Sequence, residues 1–263
     1  MDTKNKTLVY DWPTRILHWL FTLSFIIAFT LGKTVDDDGP LFVYHISAGL
    51  TIGFVLLLRI IWGFIGTSYA HFSNYKLNPV ELLRYFKNVI ATKTKRYLGH
   101  NPASSYAALI MYMCAIGMVI TGIIMSGFGE SDFLEETHEI LANLFLITAI
   151  FHVVGVLFHH FKHNDGLWSS MFDGSKNAIS GKRGIRDSKK IAGILFLVLT
   201  LGWMGYLYTS YNSSAQIIDL MGKELTVGEA EHEINGESEQ ENKSGDKKEE
   251  GHDEDEDDDH DDE

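Results

Sequence analysis

The sequence predicts an all-α integral membrane protein, a bundle of five helical spans followed by a disordered acidic tail. Hydrophobic residues make up 45% of the 263 residues and fall in five long blocks, whereas residues 212–263 are polar and end in GHDEDEDDDHDDE. A helix of about 20 apolar residues crosses a bilayer, and a strongly acidic segment cannot bury a core. We therefore divide the chain into a membrane domain, residues 1–211, and a tail, residues 212–263.

The five spans follow from the apolar blocks taken in order. They are expected at residues 16–32, 41–63, 103–126, 138–161 and 191–208. The first block follows Lys4, Lys6 and Arg15 as in a secretory signal, but no small-x-small cleavage pattern comes after it, so an uncleaved span is expected. Between the second and third spans, the run NPVELLRYFKNVI predicts a short amphipathic helix lying at the membrane surface.

The charges of the loops alternate and predict an orientation. The N-terminus, the loop after span two and the loop after span four are rich in Lys and Arg, whereas the other two loops are acidic. We call the two sides the basic end and the acidic end. Residues 1–211 carry a net charge of about +4 and residues 212–263 about −17. By the positive-inside rule the basic end and the N-terminus are cytoplasmic, and the tail is extracytoplasmic.

Four histidines within the spans are expected at two matched depths. His138 and His152 are fourteen residues apart, which places them on one helix face at levels roughly 21 Å apart. His18 lies near the basic end of span one, and His45 lies near the acidic end of span two. The topology therefore predicts one pair in each leaflet, His18 with His152 at the basic end and His45 with His138 at the acidic end.

Paired imidazoles from facing helices suggest a cofactor. The single Cys114 leaves neither a disulfide framework nor a cysteine metal site, and Zn²⁺ or Cu²⁺ would need further ligands at each level. Two imidazoles are the axial ligand set of a six-coordinate haem b, which helix bundles hold between interior faces. We expect two haems in a four-helix core, with the fifth span outside it. Hydrogen bonding between helices without a cofactor is the alternative.

Two arginines lie at depths suited to haem propionates. Arg15 precedes His18 by three residues, and Arg59 follows His45 by fourteen residues, close to the same helix face. A propionate carboxylate needs a cationic partner where it meets low dielectric. For Arg59, snorkelling to the lipid headgroups is an equal alternative.

The same residues carry a family resemblance. The runs DWPTRILHW, HISAGL with RIIWGFIG, and FHVVGVLFHHFKHNDGLWSSMFDG resemble the prokaryotic diheme cytochrome b family, bacterial cytochrome b561, which includes the b-type subunit of NiFe hydrogenases. The resemblance covers residues 9–174. It implies haem b ligation at His18, His45, His138 and His152, a place in the bacterial inner membrane, and electron exchange between quinone and a redox partner.

The sequence therefore predicts a membrane cytochrome that transfers electrons between the quinone pool and an extracytoplasmic protein, such as a basic c-type cytochrome or a hydrogenase small subunit. Catalytic residues and nucleic-acid binding are not expected, although quinone oxidoreductase activity stays open. Two alternatives are a quinone oxidoreductase that uses superoxide or another small oxidant, which the acidic loops disfavour, and a His-lined metal or proton transporter without haem. The acidic tail is expected to be solvated, to bind cations weakly or to steer a basic carrier.

Overall fold

The computed structural model describes residues 6–228 except 92, 94, 130, 164 and 165. Within these residues it is mainly helical, with two small sheets. The helices are α1 (Trp12–Thr34), α2 (Phe42–Ile65), α3 (Pro79–Ile90), α4 (Pro102–Phe128), α5 (Asp132–His163), α6 (Ser170–Asp173) and α7 (Lys190–Thr209). The strands are β1 (Lys6–Leu8), β2 (Ser175–Asn177), β3 (Tyr211–Asn212), β4 (Ile217–Leu220) and β5 (Lys223–Thr226).

The five predicted spans are confirmed as helices. Among the described residues, α1, α2, α4, α5 and α7 are long and apolar enough to cross a membrane. The outward faces of these helices are apolar, and Phe151 of α5, for example, is 71% exposed. Exposed apolar surface of this extent is explained by a hydrocarbon environment. The chain is therefore an integral membrane helix bundle.

The core lies among α1, α2, α4 and α5. Small residues, including Ala28 of α1, Ala48 of α2 and Ala115 of α4, allow these helices to approach closely. At mid-depth the rings of Phe25 and Phe145 pack with centroids 4.0 Å apart. Helix α7 packs outside this core against α1 and α2. The predicted arrangement of four core helices and a fifth peripheral helix is confirmed.

The basic end is closed by a short ribbon that the sequence analysis did not predict. Strands β1 and β2 pair antiparallel, which joins the start of the chain to the segment after α5. The next residues fix the start of α1, because the buried Asp11 caps the helix by accepting a hydrogen bond from the backbone N–H of Thr14. The Asp11 carboxylate also accepts hydrogen bonds from Trp62 and Thr67, which ties α1 to the end of α2.

The acidic end carries a three-stranded sheet, which corrects the predicted start of the tail. Strands β3, β4 and β5 pair antiparallel, and β4 and β5 lie beyond residue 212. Ile218 and Leu225 of this sheet are buried against Leu207 of α7. Met221 and Gly222, both with positive φ, form the two-residue turn between β4 and β5. The ordered membrane domain therefore extends at least to residue 228, and residues 229–263 of the predicted tail lie outside the described residues.

Candidate haem sites in the helix bundle

The acidic-end pair consists of His45 on α2 and His138 on α5. Their ring centroids are 6.2 Å apart, and both side chains are partly buried. His45 lies one turn inside α2. Its ring stacks on the ring of Phe42, with the two centroids 5.0 Å apart, and this contact fixes the orientation of the imidazole. The structure therefore brings together the two histidines that the sequence analysis paired at this depth.

The hydrogen bonds of this pair select one nitrogen of each ring for a ligand. Nδ1 of His45 lies 2.8 Å from the carbonyl oxygen of Ala28, which can only accept, so Nδ1 carries the proton. Nδ1 of His138 lies 2.9 Å from the hydroxyl oxygen of Thr121, whose own proton is donated to the carbonyl oxygen of Gly117. Both rings are thus held as the tautomer whose Nε2 has a free lone pair, as in histidine metal ligands.

A cavity of about 460 Å³ adjoins this pair and is lined mainly by residues of α1, α2, α4, α5 and β5. That volume lies within the range of about 300–1,000 Å³ typical of cofactor sites. The absence of a side chain at Gly32 leaves room for the His45 ring, because a Cβ added there would lie 2.8 Å from Cε1 of His45. Lys33 and Glu139 form an ion pair, and both residues line the cavity. The volume, the lining helices and the donor nitrogens fit a macrocycle held by two imidazoles.

The basic-end pair consists of His18 on α1 and His152 on α5. His152 acts electrostatically on His18. The His18 ring packs edge-on against Trp19, whose indole N–H donates to the carbonyl oxygen of Met171 just before β2. The Phe25–Phe145 contact lies between the two pairs along α1 and α5. The structure thus also brings together the second pair that the sequence analysis proposed.

The two candidate propionate partners differ in their surroundings. The Arg15 guanidinium donates to the carbonyl oxygen of Phe172 and lies over the Trp12 ring, which leaves it near the surface. Arg59 is 7% exposed, and its Nη2 donates to the carbonyl oxygen of Ala70 and to the Tyr75 hydroxyl, each at 3.1 Å. Arg59 therefore lies inside the protein and does not extend to the lipid headgroups.

His100 is a third histidine near the basic-end pair, and the sequence analysis did not identify it. Its Nδ1 is buried, and its ring lies 4.7 Å from that of Tyr75. Burial, followed by the charges of Lys176 and Arg59, lowers the pKa of His100 to about 3, so the ring is neutral. His152 and His18 also act on it electrostatically. The only sequence signal was its position beside Asn101, the cap of α4, which fixes the backbone there.

The donor sets differ from those of small metal sites. Within the described parts of residues 6–228, no group of three or more His, Cys, Asp or Glu side chains is placed to hold a metal ion. Each level instead offers a pair of imidazoles between apolar helix faces. This is the donor set expected for a six-coordinate haem iron.

Comparison with known proteins identifies the family of the chain. The sequence profile described as prokaryotic cytochrome b561 matches residues 9–174, the segment that contains all four span histidines. The chain belongs to the prokaryotic cytochrome b561 family. The prediction that the chain is a membrane protein of the b-type cytochrome family is therefore confirmed.

Relatives within the family are distant. A probable Ni/Fe-hydrogenase 1 B-type cytochrome subunit of Escherichia coli is 28% identical over 137 residues, 43% of this chain and 57% of the relative. The corresponding probable subunit of Bradyrhizobium diazoefficiens is 26% identical over 146 residues, 46% of this chain and 58% of the relative. That of Rhodobacter capsulatus is 23% identical over 230 residues, 71% and 84% of the two chains.

For the first two of these relatives, the chain thus matches less than two thirds of the relative's length. No solved structure matches the chain.

Proposed function

We propose that the chain is a diheme electron-transfer subunit that connects membrane quinone with an extracytoplasmic redox protein. His45 and His138 would hold one haem b, and His18 and His152 the other. A haem b with two imidazole ligands supplies one-electron transfer without an open coordination position for a substrate. The two pairs lie near opposite ends of the helices, so the bound groups would span most of the hydrocarbon thickness.

The main support for this proposal is that both histidines of the acidic-end pair form hydrogen bonds through Nδ1, which leaves Nε2 of each ring available to a ligand. An imidazole bonded to a metal through Nε2 is oriented by a hydrogen bond from its Nδ1–H. Ala28 supplies that acceptor to His45, and Thr121 supplies it to His138. Histidines that served only to join helices would donate to or accept from each other, whereas these two bond to other groups and keep their Nε2 atoms for a shared ligand.

The redox partner is proposed from the relatives and from charge. The similar proteins are described as probable hydrogenase B-type cytochrome subunits, which supports a hydrogenase small subunit as the partner. A basic c-type cytochrome is the second candidate, because the acidic residues after 212 would attract it at low ionic strength. Both partners require the acidic end to face outwards in a bacterial inner membrane, as the positive-inside rule indicates.

Arg59 is the stronger of the two proposed propionate partners. It is buried close to the basic-end pair, where an uncompensated guanidinium charge is costly and a carboxylate would be stabilised. Arg15 lies at a similar depth, and we propose that it contributes mainly through its charge.

The test is a reduced-minus-oxidised optical spectrum of the detergent-purified chain together with its haem-to-protein ratio. Two low-spin haems per chain are expected. His45→Ala and His138→Ala should each remove the same haem, and His18→Ala and His152→Ala the other. The control is His71→Asn in the loop after α2, which should keep both. A haem-free protein, or loss of different haems within a pair, would contradict the proposal.

The partner is tested separately with the full-length chain in lipid vesicles. Quinol-reduced protein should pass electrons to an added basic c-type cytochrome faster at low than at high salt, if that is its partner. Copurification of a hydrogenase catalytic module from the native membrane would favour the other candidate. Electron transfer to neither would contradict the proposed extracytoplasmic partner.

A further inference from the structure

Two buried cations lie near the basic-end histidines, and no carboxylate in the described part of the chain pairs with either. Lys176 on β2 is 1% exposed and Arg59 on α2 is 7% exposed, although both are basic side chains. Across the described residues, neither forms an ion pair with a carboxylate within 4.0 Å. Buried charges in proteins are paired or bind an ion, because taking a charge out of water has a large free-energy cost.

Hydrogen bonds to neutral groups hold both cations in place. The Lys176 ammonium donates to the carbonyl oxygen of Leu98 at 2.7 Å and to the Tyr10 hydroxyl at 3.2 Å. The Arg59 guanidinium donates through Nη2 to the Tyr75 hydroxyl. These contacts orient the two cations, but dipoles of this kind do not neutralise two positive charges.

His100 lies between the two cations. Its ring contacts that of Tyr75, the partner of Arg59, at 4.7 Å, and that of Tyr10, the partner of Lys176, at 6.3 Å. Two nitrogen atoms here are buried without a hydrogen-bond partner among the described residues, Nη1 of Arg59 and Nδ1 of His100. Buried polar atoms are almost always satisfied, so these atoms indicate a ligand, and Nη1 of Arg59, which can only donate, requires one that accepts hydrogen bonds.

Asp11 is a buried carboxylate at the same end, and its hydrogen bonds go to neutral groups. It accepts from the backbone of Thr14 and from the side chains of Trp62 and Thr67. It forms no ion pair with Arg59 or Lys176. Among the described residues no carboxylate pairs with either cation, which favours a negative charge supplied by a ligand.

We propose that Arg59 and Lys176, with His100 between them, bind a propionate carboxylate of the basic-end haem. This inference rests on the proposed haem at His18 and His152. Tyr75 and Tyr10, the hydrogen-bond partners of Arg59 and Lys176, flank His100, which also interacts electrostatically with His18 and His152. Guanidinium and ammonium donors form short charge-assisted hydrogen bonds to carboxylates, and the neutral His100 adds a further donor from Nδ1. Lys176, on a strand after the fourth span, thus becomes a cofactor-binding residue.

A free anion is the competing occupant. A cavity of about 180 Å³ adjoins His100 and is also lined by Lys76 and Lys182, so inorganic phosphate could approach the same cations. The haem carboxylate is favoured because Arg59 and Lys176 are buried and do not line this cavity, whereas Lys182 lines it and is exposed.

The test uses redox-difference infrared spectra of the holoprotein with haem that is ¹³C-labelled at the propionate carboxyl carbons. At pH 7 the isotope-sensitive carboxylate band of the basic-end haem should shift in Lys176→Met towards the position of a protonated acid. Lys182→Met, which removes the same charge from an exposed site, should leave the band unchanged. Arg59→Lys, which keeps the charge but loses the planar fork, should perturb the band without protonating the carboxyl.

A second measurement avoids substitutions that disturb folding. Full-length wild-type protein made in haem-deficient cells should take up one equivalent less of haem dimethyl ester than of haem, because the ester lacks the carboxylates. Equal uptake, or identical isotope-sensitive bands in wild type and a two-haem Lys176→Met protein, would overturn the proposal. A third outcome would also overturn the proposal. If the band were unchanged in Lys176→Met while inorganic phosphate shifted the haem potential only in the wild type, the cations would bind a free anion. A haem-free wild type would refute the diheme proposal itself.

Discussion

Replacing Gly32 by alanine should weaken the binding of the acidic-end haem while leaving the other haem unaffected. The added Cβ would lie 2.8 Å from Cε1 and 2.9 Å from Nδ1 of His45. Ordinary carbon–carbon contacts begin at about 3.5 Å, so the ring must move by about 0.7 Å. That movement would strain the 2.8 Å contact between Nδ1 and the Ala28 carbonyl oxygen, which orients Nε2. Overpacking of this kind costs about 1–3 kcal/mol.

The cost is expected to appear as haem affinity. A loss of about 1–3 kcal/mol corresponds to roughly 5- to 140-fold weaker binding at the acidic-end site. The assay is haem titration of the purified chain with the haem-to-protein ratio and the reduced-minus-oxidised spectrum. The matched control is Gly155→Ala on α5, where an added Cβ meets no atom within 4 Å. If Gly32→Ala kept two haems with wild-type affinity, His45 would not be held in the orientation that the ligand role requires.

Three further predictions use different contacts. Thr121→Val keeps the shape of the side chain but removes the hydroxyl that accepts from Nδ1–H of His138. Haem titration should therefore show about 10- to 100-fold weaker binding of one haem. An unchanged affinity would exclude an orienting role for Thr121. Asp11→Asn disturbs three buried hydrogen bonds and should destabilise the chain by about 1–3 kcal/mol in thermal unfolding, whereas Asp187→Asn at an exposed ion pair should change little. Leu225→Ala should loosen the β4–β5 hairpin over the acidic-end cavity and speed amide exchange in both strands, and unchanged protection would show that the hairpin does not depend on this contact.

The helices and the depths of the four histidines could be predicted because both depend on periodicity along single helices. A run of apolar residues specifies a span, and the helical repeat specifies which residues share a face. His138 and His152 lie on one face of α5 for this reason, and Phe145, halfway between them, packs in the core. The pairing of helices was inferred only from the matched depths of their histidines. That inference was possible because each span must cross the bilayer, which fixes the depth of its residues.

The β4–β5 hairpin was missed because its signal is short. Residues 212–263 are dominated by Asp and Glu, and that average concealed the alternating segment at Ile217–Leu220 and Lys223–Thr226. The Met221–Gly222 turn between them lacks the Asn-Gly or Asp-Gly pair that would have marked a hairpin. Its stability comes from Leu225 and Ile218 packing on the membrane domain, and no local pattern reports that contact.

The cations beside the basic-end pair were hidden for a different reason. Lys176 was one of several basic residues after span four, and a loop lysine is normally solvated. The antiparallel pairing of β1 and β2, 167 residues apart at Leu8 and Ser175, carries Lys176 under Tyr10 and towards His100. The periodicity of a sequence does not report a contact between two loops, so the burial of Lys176 became visible only in the folded chain. The positive-inside rule counts Lys176 as a topology signal, but its burial shows that at least one such charge serves the interior of the protein.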